Sequence, residues 1–168
     1  MLHSKRLTMF IPESADFQRY FEINSDPETN LFNPAGPMNL VQAEQSFEKF
    51  LSHWQQHNFG SWTIRCEDQI VGFGGLSYRN YGHESKLNLG YRFAKEAWGR
   101  GYATELSLFA IEYGFTELNF NTIYAIVRPL HTASIKVLEK CGMQLSGTLD
   151  DVPGKEASLV FMLERQKS

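Results

Sequence analysis

The stretch with the clearest chemistry is 91–104, where a strand-like run containing Gly90 leads into Trp98-Gly99-Arg100-Gly101-Tyr102-Ala103-Thr104 and then directly into an apolar helical pattern. A strand, a glycine-rich turn and a helix start together present several backbone N–H groups to one phosphate. Glycine at 99 and 101 removes the Cβ atoms that would hold a ligand off and permits positive φ, while the helix start adds its positive end and Arg100 a full charge. An anionic, pyrophosphate-bearing ligand is indicated. Two nucleotide motifs do not fit: no Gly-Lys-Ser/Thr closes the glycine run, and Thr104 stands where a dinucleotide fingerprint needs a third glycine or alanine, with no acidic residue at 122–124. A glycine-bearing turn that only packs tightly is the plainer alternative.

Other reactive residue types are less specific. His53 and His57 lie at i, i+4 on a helical pattern, the spacing of a metal pair, but neither the HExxH glutamate nor an adjacent third ligand accompanies them, so a solvated helix face is favoured. Cys66 and Cys141 are 75 positions apart with no CxxC or Cys/His cluster, which reads as two reduced thiols. Asp150 and Asp151 sit at the mouth of the last hairpin, where turn residues are polar anyway. Phe10, Phe17, Tyr20, Phe21, Phe32, Trp54 and Tyr78 have the spacings of core residues more than of a pocket lining.

The elements that must position the glycine turn follow from periodicity. Residues 6–11 form a strand stopped by Pro12, and 15–23 a helix with Ser14 as N-cap. A punctuated loop at 24–39 precedes an amphipathic helix at 41–56 that ends near Gly60. Strands at 61–66 and 70–78 form a hairpin, and 86–94 is a third strand in which Gly90 marks a bulge or a close backbone approach. A buried helix at 101–117, a strand at 122–127, a helix at 131–140 closed by Gly142, and strands at 143–149 and 158–163 complete the chain. The order implies one α/β domain over residues 1–168, with a mixed, mostly antiparallel sheet of six to seven strands and about four helices.

Composition limits the function classes. With 42% hydrophobic and 21% charged residues the chain can bury a core, so disorder is excluded. A balance of 16 basic against 19 acidic residues, net −3, excludes a general nucleic-acid scaffold. The start of the chain lacks an apolar signal core and the longest fully apolar run, 159–163, is far below a membrane span, so a cytoplasmic protein that does not engage membranes is expected.

Leu89-Gly90-Tyr91 followed by Glu96-Ala97-Trp98-Gly99-Arg100-Gly101-Tyr102-Ala103-Thr104-Glu105 resembles the acetyl-coenzyme A signature of the GNAT superfamily, in the form used by RimJ/RimL-like N-acetyltransferases. Val127-Arg128-Pro129-Leu130-His131-Thr132-Ala133-Ser134 and Leu138-Glu139-Lys140-Cys141-Gly142-Met143 are similar to the second half of that signature. Lys5-Arg6-Leu7, the loop 34–37 and Asn58-Phe59-Gly60-Ser61-Trp62 also match the family's layout. The resemblance implies acetyl transfer from acetyl-CoA to a primary amine, a protein N-terminus or a small molecule, by direct attack in a ternary complex. It implies no metal, and family members often form homodimers.

Carried over by position, the resemblance implies that the backbone of Tyr91, Arg92 and Phe93 pairs with pantetheine amides. A bulge at 88–90 would turn an N–H toward the thioester oxygen. Gly99, Arg100, Gly101, Tyr102, Ala103 and Thr104 would wrap the pyrophosphate, with Ser134 near the sulfur. Three positions depart from the pattern. His131 stands where an Asn usually bonds the pantetheine arm, Asn88 where a Glu often orients or deprotonates the amine, and Leu138 where many members place a Tyr acid. Ser134 or a water would then be the acid, and Glu84, His83 or a water chain the base. The same departures suit an alternative, a catalytically degenerate acyl-CoA binding or sensing module.

Overall fold

The computed structural model describes residues 1–167. The elements in chain order are β1 (Leu2–His3), β2 (Thr8–Phe10), α1 (Phe17–Ser25), α2 (Leu40–His57), β3 (Ser61–Cys66), β4 (Gln69–Tyr81), β5 (Glu84–Phe93), α3 (Tyr102–Thr116), β6 (Thr122–Val127), α4 (Thr132–Lys140), β7 (Gln144–Leu149) and β8 (Ser158–Glu164). They build an α/β fold on one mixed sheet of eight strands in the order β1-β2-β3-β4-β5-β6-β8-β7. The strand beyond the expected six to seven is β1, whose two residues pair with Met9 and Thr8 and are too short to leave a periodic signal.

Local chemistry sets two helix boundaries and one strand register. The first helix begins at Phe17 after a 3₁₀ turn, because the Asp16 carboxylate accepts the Glu13 N–H at 2.9 Å, so Ser14 is not its cap. At the end of α2, Asn58 takes the left-handed conformation at φ 60°, and Gly60 lies beyond. A Cβ at Gly60 would stand 2.8 Å from the Trp54 indole, so that glycine serves close packing. The bulge expected at 88–90 is also absent: β4 and β5 pair in unbroken register from Gly72↔Phe93 to Tyr81↔Glu84.

One face of the sheet packs on α3 and α4 through Leu76, Leu89, Leu106, Ala110, Ile123 and Leu138. The other face receives α1 and α2 through Tyr20, Ile23, Phe47 and Phe73. The feature that matters for function lies between β5 and β6. They are the sheet's parallel pair, joined at Asn88↔Tyr124, and beyond that bridge they diverge into a cleft. Backbone groups along the β5 edge that faces the cleft are left to bond something else.

The His53 and His57 pair has a structural use. His53 donates from Nδ1 to the Phe59 carbonyl at 2.9 Å and accepts the Tyr78 N–H on Nε2 at 3.0 Å, tying α2 to β4. Both ring nitrogens are engaged, which fixes a neutral tautomer and leaves no lone pair for a metal. Burial pushes its pKa below the ordinary histidine range, with the backbone contact opposing and His57 adding to the fall. A depressed histidine pKa means the unfolded chain binds the proton more readily. This contribution to stability is therefore complete above the ordinary value of 6.5 and is lost as the pH falls below it. His53→Ala is expected to lower unfolding free energy by about 1–3 kcal/mol, measured by urea titration, and to reduce this acid sensitivity.

Candidate active site

The glycine turn sits at the start of α3 beside the end of β5. Gly99 and Gly101 have φ of +77° and +79°, a region that any side chain enters only with strain. Gly101 is the N-cap of α3 and no side chain caps it, so the leading N–H groups of the helix at Tyr102, Ala103 and Thr104 lack intrahelical acceptors. Tyr102 turns its ring inward, with its hydroxyl 3.2 Å from Cys66 Sγ.

The turn's shape is braced by residues almost a hundred positions away. Arg6 donates from Nη1 to the Arg100 carbonyl at 2.6 Å and from Nε to Glu105 Oε1 at 2.7 Å, while its guanidinium lies over the Tyr102 ring. Glu105 also accepts from the Arg6 N–H and the Ser4 hydroxyl, and these contacts hold its carboxyl below the usual carboxylate range against the opposing effect of burial. Arg6 and Glu105 thus take up the carbonyl side of the turn. Local sequence carried no sign of this pairing beyond the placement of Lys5-Arg6-Leu7.

Polar groups gather where the strands part. Asn88 is buried, and its Oδ1 accepts the Tyr81 hydroxyl at 2.6 Å. Burial raises the Tyr81 phenol far above its ordinary value, so it is a neutral donor. Asn88 Nδ2 would lie 3.3 Å from a Cβ at Gly90, so the missing side chain there keeps the amide open toward the cleft. On the other side, the Tyr91 hydroxyl and Ser134 Oγ are 2.9 Å apart, linking β5 to the first turn of α4. Burial also raises the Tyr91 phenol. The Tyr91 hydroxyl had no sequence signal, since the residue reads as an apolar strand position, and Tyr81 lies beyond the strand expected at 70–78, which extends to it as β4.

The rim is closed by the loop between α1 and α2. His131, the N-cap of α4, stacks on Phe32 with ring centroids 4.4 Å apart and planes 13° from parallel. Burial, with nearby Arg92, holds the imidazole below its ordinary pKa, hence neutral. The Arg92 guanidinium donates to Asn30 Oδ1 under this stack. The structure does not bring Glu84 to the group. It opens β5 at the hairpin tip, largely exposed and 3.6 Å from Lys86, four residues or about 13 Å along the strand from Asn88. Leu138 is core, and Asp151 is taken by Arg128 and Ser158. Among the described residues no group of three or more His, Cys, Asp or Glu is placed to hold a metal ion, and no helix is long and apolar enough to cross a membrane.

The arrangement can therefore hold an elongated ligand, with an anionic end on the N–H groups at 99–104 and a flexible arm along the open β5 edge. Residues 6–144 match the family described as Acetyltransferase (GNAT) domain. The uncharacterized N-acetyltransferase p20 of Bacillus licheniformis is 32% identical over 162 residues, covering 95% of this chain and 90% of that protein. An acetyltransferase from Agrobacterium tumefaciens shares the fold with a TM-score of 0.82 at 25% identity, over 98% of this chain and 94% of that one. The spermidine N-acetyltransferase of Vibrio cholerae, solved in complex with CoA and spermine, gives 0.78 at 20% identity over 95% of each chain.

Proposed function

The chain belongs to the GNAT acetyltransferase family, and from that premise we propose that residues 1–168 form one N-acetyltransferase domain, of the RimJ/RimL-like kind, that moves the acetyl group of acetyl-CoA to a primary amine by direct attack. The observation that carries this reading is the parting of β5 and β6 beyond Asn88↔Tyr124 directly beside the uncapped start of α3. The residues fit acetyl-CoA: no side chain caps the start of α3, which leaves the N–H groups of Tyr102, Ala103 and Thr104 for a pyrophosphate, and a Cβ at Gly99 would meet nothing within 4 Å. When bound, acetyl-CoA supplies the acyl group as an activated thioester.

The chain's own residues divide the remaining work. Gly99, Arg100, Gly101 and the N–H groups of Tyr102, Ala103 and Thr104 hold the anion. The open edge of Tyr91, Arg92 and Phe93 bonds the arm, and His131, neutral and stacked on Phe32, borders it. Asn88, with Tyr81 already donating to its oxygen, presents its Nδ2 donor to the reacting groups and orients them, since an amide is not basic enough to take a proton at neutral pH. As the C–N bond forms and the C–S bond breaks, one proton leaves the amine nitrogen for water. One reaches the sulfur from the Ser134 hydroxyl, which Tyr91 can restore.

The test is calorimetric titration with acetyl-CoA followed by an amine panel read by thiol release. Binding with release on one amine class supports the transferase, whereas binding without release on any amine favours the sensing module. The exposed position of Glu84 leads to a further expectation. Glu84→Gln should leave kcat within about twofold, as surface charge changes away from the reacting atoms do. A loss of 100-fold or more would return the base to that residue.

A further inference from the structure

Resting on that reading, we infer that the amine acceptor carries a carboxylate, and that the Arg92 guanidinium is the group that receives it. Four arginines of the described chain are partly buried: Arg19, Arg65, Arg92 and Arg128. Arg19 pairs with Glu22 and Glu96, Arg65 with Asp16, and Arg128 with Asp151. Arg92 alone has no carboxylate, and its protein acceptor is the neutral oxygen of Asn30. A guanidinium withdrawn from water costs free energy unless an anion compensates it, and its planar fork is shaped for a carboxylate.

The position suits an acceptor. Side chains alternate along a strand, so Arg92 projects from the same face of β5 as Asn88 and Gly90. That face is the one covered by α1, α2 and the loop between them, opposite α3. An amine approaching there meets the reactive end beside Gly90 with Arg92 two residues along the strand. The charge balance of this wall is one-sided. Arg128 neutralises Asp151, Lys95 holds Glu28 at 2.6 Å, and Glu84 lies beside Lys86 at the hairpin tip. Glu164 is paired in register with Thr122, beyond the Asn88↔Tyr124 bridge on the side away from the cleft. Asp26, in the covering loop, accepts the Glu28 N–H at 2.8 Å, and Arg92 is the partly buried guanidinium without a carboxylate partner. A polyamine, cationic along its length, would be repelled by the Arg92 guanidinium.

The experiment compares matched acceptors that differ only in the anion: glutamate against glutamine amide, and a peptide with N-terminal Glu against one with N-terminal Gln. The free amino acid and the peptide distinguish the two sources of the carboxylate. Arg92→Gln is expected to reduce the kcat/KM ratio of acid to amide by on the order of 100-fold, and Arg92→Lys to restore part of it. Thermal melts of both variants separate this from misfolding, since only charge recognition is rescued by Lys. A wild-type preference for spermidine or for the amides, or an equal rise in KM for acetyl-CoA, would overturn the inference. If no amine releases thiol, the transfer reading fails by itself. Titration of CoA-saturated protein with N-acetylglutamate and its amide then decides the Arg92 site, with equal binding of the two overturning it.

Discussion

Gly101→Val should weaken acetyl-CoA binding by on the order of 100-fold or more in a calorimetric titration, while the protein still melts cooperatively. Two effects add. At φ +79° an L side chain is strained by roughly 1–2 kcal/mol, more for a β-branched one, so the N-cap would rotate and carry the N–H groups of Tyr102 and Ala103 out of alignment. The new Cβ also stands 3.3 Å from Arg6 Nη2, and displacing that guanidinium releases the Arg100 carbonyl it holds. Gly99→Ala is the informative control, with φ +77° but nothing within 4 Å of its Cβ. It should show the backbone strain as a small drop in melting temperature with a lesser loss of affinity. Unchanged affinity in Gly101→Val would remove the turn from the binding site.

Ser134→Ala should lower kcat by on the order of 100-fold with little change in acetyl-CoA affinity, as expected when a proton donor acts mainly in the transition state. The partner hydroxyl gives an internal check. Tyr91→Phe leaves Ser134 Oγ in place but removes its neighbour at 2.9 Å, so it should cost less, about tenfold, and add little once Ser134 is already Ala. A loss of cofactor binding that equals the loss of turnover would make Ser134 a positioning residue.

Much of the fold was legible because it is written in local periodicity. The strand at β6 has the bounds expected, and α3 and α4 differ from expectation by a residue or so at their ends. β6 is a short β-branched and aromatic run, α3 is apolar on most sides over about four turns, and α4 separates an apolar from a charged face, so length and residue type identify each element locally. Glycine at 99 and 101 was equally plain, since two glycines around a basic residue at a helix start restrict the backbone in few ways. Where expectation failed, a tertiary contact had replaced a local one. Asp16 rather than Ser14 organises the first helix start, and Gly90 marks open space beside Asn88 with β4 and β5 in unbroken register.

The site shows the same division. Residue types and spacing by themselves pointed to an anionic ligand at 99–104, because that inference needs only neighbours in sequence, whereas Ser134 and Asn88 entered only through the resemblance to the GNAT superfamily. Tertiary structure alone decided which groups face one another: Arg6 bracing Arg100 across 94 positions, Tyr91 meeting Ser134 across 43, and Arg92 meeting Asn30 across 62. It also removed Glu84 to the hairpin tip. The physical reason is range. Backbone conformation and amphipathic patterning are fixed within a few residues, whereas a hydrogen bond or an unpaired buried charge depends on which distant segments the core packs side by side.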